Sequence, residues 1–296
     1  MAFWRLSPSK QIDLTAPCVM AILNITPDSF SDGGRLMVPH QAADAAAAAV
    51  GAGARVLDIG GESTRPGAAP VSADEQMQRV VPAIMAIRGR GGALAEVAIT
   101  VDTTSAAVAE AALSAGADAV NDQSAGLDDA EMLKLCAARG CGIVLMHRAR
   151  RAAEDSYSDQ YQQPPHYHDL VAEVAGFLRG RAEAALAAGI GREQIVLDPG
   201  LGFGKSVEHN LELIRGTGAL AALGYPVLSG LSRKSFTGRV SLNRDSQPSE
   251  RLAGTLALSV LHQHHGASVF RVHDVPEHVA ALNAASRLAA SHLNPK

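Results

Sequence analysis

The chain has 296 residues, of which 47% are hydrophobic and 19% charged, and its 26 basic and 30 acidic side chains give a formal net charge of −4. This hydrophobic fraction excludes a disordered chain, and the length suits one large α/β barrel or two smaller domains. A slightly acidic chain lacks the charge that drives binding to nucleic acid or anionic membrane, so we predict neither partner and expect a small molecule or a protein instead.

The three cysteines are Cys18, Cys136 and Cys141, which form neither an even disulfide framework nor a CxxC pair. Residues 1–8 contain no long apolar segment of the kind found in signal peptides, and no later stretch has enough uninterrupted apolar residues to span a bilayer. These features predict a cytoplasmic protein in a reducing environment.

One sequence unit recurs along the chain: an Ala-rich helical run, a Gly turn, and a short apolar strand that ends in a polar residue. The strands of these units are predicted at 56–60, 118–122, 142–147, 195–198 and 269–273, and three further strands at 19–24, 97–102 and 225–230. About eight parallel strands, each followed by a helix, predict a TIM (β/α)8 barrel that spans residues 1–296 as a single domain. A doubly wound open sheet is the alternative, and the absence of any break in composition disfavours it.

The site of such a barrel lies at the carboxyl ends of its strands, and polar side chains follow every predicted strand. Asp102, Asn121 and Asp198 offer the carboxylate and amide groups that a nitrogen-rich heterocycle with an N–C–NH₂ edge requires. Two other interpretations stay open, since Asp102 could cap a helix and Asp198 could open a turn.

A second group of residues suits an anion. Residues 60–67 place backbone amides, a hydroxyl and the Arg65 guanidinium on one loop, which suits phosphate oxygens. Arg271 and His273 alternate at the last strand and point to the same side. Each charge alone could be a solvated residue or a helix cap, but three together at strand ends favour an anion site.

Residues 26–34 form a connection rich in turn formers, which we predict to be exposed and mobile. The segment could be an ordinary turn, or a lid that carries Phe30 over the site.

Several longer motifs occur in a fixed order: MAILNITPDSFSDGG at 20–34, DIGGESTRPG at 58–67, DPGLGFGK at 198–205, GLSRKSF at 230–236 and RVHDV at 271–275. In these motifs, and along nearly its full length, the chain resembles the dihydropteroate synthases. The resemblance implies a barrel enzyme of folate biosynthesis that joins p-aminobenzoate to hydroxymethyl-dihydropterin pyrophosphate. It further implies Mg²⁺ on the leaving pyrophosphate, dissociative substitution at the pterin methylene, closure of the first two loops, and a homodimer.

The resemblance also implies a role for individual residues. It places the pterin against Asp102, Asn121, Met146, Asp198, Phe203, Gly230, Lys234 and Arg271, of which Asp102, Asp198, Lys234 and Arg271 would act in catalysis. It places the pyrophosphate against Asn24, Thr64, Arg65, Arg271 and His273, with Asn24 as the metal ligand. It places p-aminobenzoate against Phe30, Pro66, Lys234 and Ser235.

The chain departs from the family pattern beside the implied pterin pocket. It has Thr104 and Ser105 where Tyr-Lys is usual, Gln123 and Ala125 where an aliphatic residue and Gly are usual, and an arginine-rich run from Arg148 to Arg151 after the fifth strand. These differences leave open a catalytically silent pterin-binding paralogue. A corrinoid-dependent methyltransferase acting on a methylated folate and a Schiff-base aldolase using Lys234 are weaker alternatives.

Overall fold

The computed structural model describes residues 3–25, 39–163 and 165–291. Its strands are β1 (Phe3–Ser7), β2 (Lys10–Asp13), β3 (Cys18–Asn24), β4 (Val56–Gly60), β5 (Ala98–Asp102), β6 (Ala119–Asp122), β7 (Gly142–Met146), β8 (Ile195–Asp198), β9 (Leu228–Ser229) and β10 (Val269–Val272). The last eight strands form one parallel sheet in the order β8-β7-β6-β5-β4-β3-β10-β9. A parallel bridge between Leu197 and Val227 joins the two outer strands of this sheet. The predicted barrel is therefore confirmed, and the open doubly wound sheet is excluded.

The helices surround the barrel. They are α1 (Pro39–Gly51), α2 (Ala73–Gly89), α3 (Ala93–Glu96), α4 (Ala106–Ser114), α5 (Met132–Arg139), α6 (Leu170–Ala187), α7 (Val207–Arg215), α8 (Thr217–Ala221), α9 (Ser235–Leu242), α10 (Leu252–His264) and α11 (Val275–Ser291). Each of the five repeated units has a turn glycine with a positive φ, as the predicted turn between helix and strand requires: Gly53, Gly116, Gly140, Gly189 and Gly266. None of the helices, within the part of the chain that the structure describes, combines the length and the apolarity needed to cross a bilayer.

The strand predicted at 225–230 is much shorter in the structure. Only Leu228 and Ser229 belong to β9, because Pro226 has no N–H with which to extend the ladder. The Pro226 carbonyl instead accepts a hydrogen bond from Leu197 N at 2.9 Å. The barrel thus closes here through a proline carbonyl.

An antiparallel hairpin of β1 and β2, which the sequence analysis missed, covers the amino end of the barrel. Trp4, Leu6 and Ile12 alternate with polar residues along it and pack onto the lower inward-facing residues of the barrel strands. The fully buried Trp4 also donates from Nε1 to the Gln194 carbonyl at 3.0 Å. This hairpin seals one end of the barrel, so the carboxyl end is where a substrate can enter.

Candidate active site

Four residues at the carboxyl ends of neighbouring strands lie in one row across the sheet. Asn24 on β3 pairs with Gly60 on β4, Gly60 pairs with Asp102 on β5, and Asp102 pairs with Asn121 on β6. A Cβ on Gly60 would lie 3.5 Å from both the Asn24 amide oxygen and Asp102 Cβ. The glycine therefore leaves open the space between these two polar side chains.

Arg271 on β10 joins two carboxylates inside the barrel. Its Nε donates to Asp58 Oδ2 at 2.5 Å, and its terminal nitrogen NH2 donates to Asp102 Oδ2 at 2.6 Å. Asp58 is fully buried and also accepts hydrogen bonds from Thr100 Oγ1 at 2.6 Å and from Asn121 Nδ2 at 3.1 Å. One buried carboxylate thus orients both the Arg271 guanidinium and the Asn121 amide.

Asp58 is a residue that the sequence analysis did not single out. A signal for it exists, because a charged side chain within the apolar strand Val56–Gly60 must find donors inside the protein. Asp58 differs from the predicted site residues because it lies two positions before the end of β4, whereas they lie within one position of the ends of their strands or after them.

Asp102 is held between two donors. Its Oδ2 accepts from Arg271, and its Oδ1 accepts from Gln123 Nε2 at 2.8 Å. Burial raises the pKa of Asp102 to about 7, and the Asp58 charge acts in the same direction, whereas Arg271 and the Gln123 hydrogen bond lower it. The carboxylate therefore titrates near neutral pH.

The structure distinguishes between the two alternative interpretations of the strand-end carboxylates. At the start of α4 the backbone N–H of Ala106 donates to Asp129 Oδ2 at 2.8 Å, whereas Asp102 accepts from Arg271 and Gln123, so the helix-capping interpretation of Asp102 is wrong. Asp198, by contrast, accepts a hydrogen bond from Gly200 N at 2.7 Å and does stabilise a turn. Burial raises the pKa of Asp198, and the nearby Lys234 charge opposes this shift.

The glycine-rich turn after β8 packs closely against its neighbours. Gly200 and Gly202 both have positive φ, and a Cβ would overlap the His147 carbonyl at the first and the Lys234 side chain at the second. Lys205 is fully buried beneath this turn and donates to the Phe203 carbonyl at 2.8 Å. Its role is to hold the turn in place.

Lys234 precedes α9 and points into the site. Its Nζ donates to the Leu201 carbonyl and lies 4.1 Å from the centre of the Phe203 ring. Burial lowers the pKa of Lys234 to about 7, and the neighbouring Asp198 charge opposes this shift. A cation therefore lies beside the acidic groups without forming a direct ion pair with them.

A cavity of about 730 Å³ opens at this end of the barrel. Its lining includes most of the predicted site residues: Asn24, Thr64, Arg65, Pro66, Phe203, Gly230, Lys234, Ser235, Arg271 and His273. Four others, Asp102, Asn121, Met146 and Asp198, are buried rather than part of this lining. Phe30 and the rest of the predicted lid at 26–34 lie outside the described residues.

The mouth of the cavity carries positive charge. Arg65 is exposed and forms no ion pair with any residue that the structure describes. His273 Nδ1 lies 3.0 Å from Ser232 Oγ, and burial together with the Arg271 and Arg233 charges lowers the pKa of His273. A free guanidinium beside a neutral imidazole, with Arg271 below them, leaves room for an anion.

The segment between β7 and α6 also contributes to the cavity, which the sequence analysis did not foresee. Tyr157 and Ser158 belong to the lining, and Asp155 Oδ2 accepts a hydrogen bond from Gly204 N at 2.6 Å. Asn210 on α7 anchors the same turn through Gly202 N at 2.7 Å. Nothing in the local pattern signals these contacts, because they form between segments distant in sequence.

The structure shows the surroundings of two of the departures from the family pattern. Arg148 and Arg151 both form ion pairs with Asp128, at 2.6 and 3.4 Å, outside the main cavity. Ala125 adopts a φ of 54°, a conformation for which Gly carries no penalty. Gln123 differs from these two because it contacts a predicted site residue directly.

Comparisons with known proteins show which family this chain is similar to. A family model described as "Pterin binding enzyme" matches residues 20–273. The dihydropteroate synthase of Streptococcus pyogenes is 42% identical over 257 residues, which cover 87% of this chain and 90% of that one. A probable bifunctional folylpolyglutamate synthase/dihydropteroate synthase of Haloferax volcanii is 45% identical over 90% of this chain, which spans only 30% of that relative. A structure of Xanthomonas albilineans dihydropteroate synthase in complex with 7,8-dihydropteroate is 37% identical, with a TM-score of 0.83 over 97% of this chain and 99% of that one.

Proposed function

The chain belongs to the dihydropteroate synthases, a family of pterin-binding enzymes, and we propose how its own residues carry out the family's condensation. The reaction joins p-aminobenzoate to hydroxymethyl-dihydropterin pyrophosphate and yields 7,8-dihydropteroate and pyrophosphate. The observation that carries the proposal is the buried cluster in which Arg271 bridges Asp58 and Asp102 beside Asn121.

The pterin ring binds at this cluster. Its amino-pyrimidinone edge combines donors with acceptors, and Asp102, Asn121 and Asp198 offer complementary carboxylate and amide groups. Lys234 adds a cation for the ring carbonyl, while Met146 and Phe203 supply the apolar contacts. The two aspartates also stabilise positive charge that develops on the ring when the carbon–oxygen bond to pyrophosphate breaks.

The pyrophosphate lies at the mouth of the cavity. Arg65 and Arg271 neutralise the charge that accumulates on the leaving group, and the neutral His273 imidazole and the Thr64 hydroxyl add hydrogen-bonding groups. Arg271 must turn partly away from its carboxylates to reach the anion. The protein needs no covalent intermediate, because a well-neutralised pyrophosphate leaves readily.

Asn24 is the protein ligand we propose for Mg²⁺. It offers a hard amide oxygen at the cavity wall, beside the open space above Gly60. One protein oxygen together with phosphate oxygens and water fits Mg²⁺, which keeps several waters and binds through substrate phosphates. The ion would supply neutralisation of the departing pyrophosphate. Calorimetry checks this assignment: Mg²⁺ should bind weakly alone and much more tightly with pyrophosphate present, and Asn24→Ala should abolish that gain.

p-Aminobenzoate lies between Pro66, Lys234 and Ser235, with its carboxylate toward the start of α9. The first backbone N–H groups of a helix favour an anion, and Ser235 begins this helix. The amine then faces the pterin methylene across the cavity. Phe30, predicted to cover this substrate, lies outside the described residues.

We also propose that the chain forms a homodimer through α9, α10 and α11. The apolar side chains on α9 and α10 include three that stay partly exposed in the single chain: Val240 (41%), Leu242 (37%) and Leu261 (50%). A second copy of the chain would cover this apolar face. Light scattering after gel filtration should give twice the monomer mass, and Leu261→Lys should reduce that mass; a monomeric wild type contradicts the assignment.

The predicted cytoplasmic location stays a prediction.

The direct test measures pyrophosphate release from hydroxymethyl-dihydropterin pyrophosphate and Mg²⁺, with and without p-aminobenzoate, while dihydropteroate is detected by mass. We expect release that depends on p-aminobenzoate and equals the dihydropteroate formed. Binding of the pterin without any product would identify a silent paralogue.

A further inference from the structure

Gln123 directly follows β6 and is 7% exposed. Its backbone is fixed by the preceding carboxylate, since Asp122 accepts hydrogen bonds from Ser124 N at 2.8 Å and from Gly126 N at 2.6 Å. The side chain crosses to the neighbouring strand, where its Nε2 meets Asp102 Oδ1. A tight turn thus places a neutral amide donor beside a carboxylate of the proposed pterin site.

The two oxygens of Asp102 have donors of different kinds. Oδ2 is bonded to Arg271, which the proposed reaction requires to engage pyrophosphate, whereas Oδ1 is bonded to Gln123, which lies outside the residues that line the cavity. Without the amide, a shift of Arg271 toward the anion would leave Asp102 with no donor among the described residues. Of the two side chains that donate to Asp102 among the described residues, Gln123 is the one that can stay in place throughout the reaction.

We propose that Gln123 is a positioning residue, whose amide holds the Asp102 carboxylate in one orientation when Arg271 turns toward the substrate. The inference rests on the proposed function, because it assumes that Asp102 contacts the pterin. Gln123 need not touch the reacting atoms to affect the rate. Its effect passes through Asp102, whose misplacement would weaken contacts to the ring.

The charges around Asp102 make this role measurable. Arg271 faces it from β10, Asp58 from β4, Glu62 from the loop after β4, and Lys234 from the start of α9. Two of these groups are carboxylates, and the Gln123 hydrogen bond is a neutral contribution that favours the ionised form of Asp102. Removal of the amide should therefore raise the pH at which Asp102 protonates.

The test compares wild type with Gln123→Met, which keeps the volume and loses the donor. We expect kcat/KM for the pterin pyrophosphate to fall about 10-fold at neutral pH, as for a lost hydrogen bond to a charged group. We also expect the acid limb of the pH profile of kcat/KM, which reports protonation of Asp102, to move to higher pH. Gln194→Met is the matched control, since Gln194 is also buried and donates to the Gly140 carbonyl at 2.7 Å, at the amino end of the barrel. The control should leave both kinetic measures unchanged. Unchanged kcat/KM and acid limb in Gln123→Met overturn the inference.

A second variant separates positioning from packing and remains informative if the methionine variant does not fold. Gln123→Glu can donate to Asp102 only while its own carboxyl is protonated, so its activity relative to wild type should fall as pH rises. If Gln123 only fills space, the ratio of variant to wild-type activity should be the same at every pH, and this result would contradict the inference. If wild type forms no dihydropteroate, the proposed function fails, and the same pH comparison of pterin pyrophosphate binding by calorimetry decides the role of Gln123.

Discussion

Arg271 Nε and Asp58 Oδ2 lie 2.5 Å apart, although 213 positions separate the two residues in the chain. Their strands, β10 and β4, are the two neighbours of β3, and Met20 on β3 is in register with both Arg271 and Val56. The ion pair therefore crosses the interior of the barrel above β3. It forms only because the first and last strands of the barrel meet.

Replacement of Asp58 by Asn should test this pair. The substitution removes the charge that opposes Arg271 and disturbs the Asn121 amide, so we expect a loss of about 2–3 kcal/mol in stability and a fall of about 100-fold in kcat/KM. Urea unfolding and steady-state kinetics measure the two effects. Asp128→Asn, which disrupts the ion pairs with Arg148 and Arg151, is the control and should cost at most about 1 kcal/mol with activity intact. Equal behaviour of the two variants would show that Asp58 has no special role.

Replacement of Gly202 by Ala should impair activity through Lys234. The new Cβ would collide with the Lys234 side chain and displace its Nζ, so we expect kcat/KM to fall about 10-fold or more. Gly91→Ala is the matched control, because Gly91 has a φ of 69°, against 81° for Gly202, and no atom within 4 Å of the added Cβ. Both variants should lose about 1 kcal/mol of stability, and only Gly202→Ala should lose activity. Normal kinetics in Gly202→Ala would count against the assigned position of Lys234.

The pH dependence of kcat/KM should be bell-shaped. The reaction requires Asp102 ionised and Lys234 protonated, and burial moves both pKa values to about 7 from opposite directions. Activity should fall at lower pH as Asp102 gains a proton, and at higher pH as Lys234 loses one. A profile at constant ionic strength measures this, with the substrate's own phosphate titration followed separately by phosphorus NMR. A flat profile on both sides of neutrality would contradict the assigned charge states.

Replacement of Trp4 by Ala should affect stability and spare catalysis. The indole fills the amino end of the barrel, far from the cavity, so we expect a loss of about 3–5 kcal/mol with kcat/KM unchanged in the folded protein. Trp4→Phe keeps most of the apolar volume and loses the hydrogen bond to Gln194, and should cost about 1 kcal/mol. Thermal unfolding and kinetics below the transition measure both. Reduced kcat/KM in the folded variant would mean that the two ends of the barrel are coupled.

Much of the barrel could be predicted from the sequence because its information is local. Each repeated unit carries its own helix, glycine turn and apolar strand, and seven of the eight predicted strands lie within about a residue of the observed bounds. The exception is β9, which Pro226 shortens. The terminal hairpin was missed although Trp4, Leu6 and Ile12 show the alternation of a half-buried strand.

The site was predictable only where chemistry coincides with a strand end. Asn24, Asp102, Asn121 and Asp198 are the last or nearly last residues of their strands, and the barrel brings those ends together. Asp58 was not singled out, and Gln123 was noted only as a departure from the family pattern, because the role of each depends on which side chain reaches across from another strand. Such pairings arise when the strands pack side by side and have no local sequence signature.

The most direct test of the account is dihydropteroate formation by wild type and Asp102→Asn in one assay, with thermal unfolding of both. The account predicts that wild type makes dihydropteroate and that the variant loses about 100-fold or more in turnover while unfolding at nearly the same temperature. Equal turnover in the variant, with a normal unfolding curve, would remove Asp102 from the mechanism and contradict the proposed pterin site.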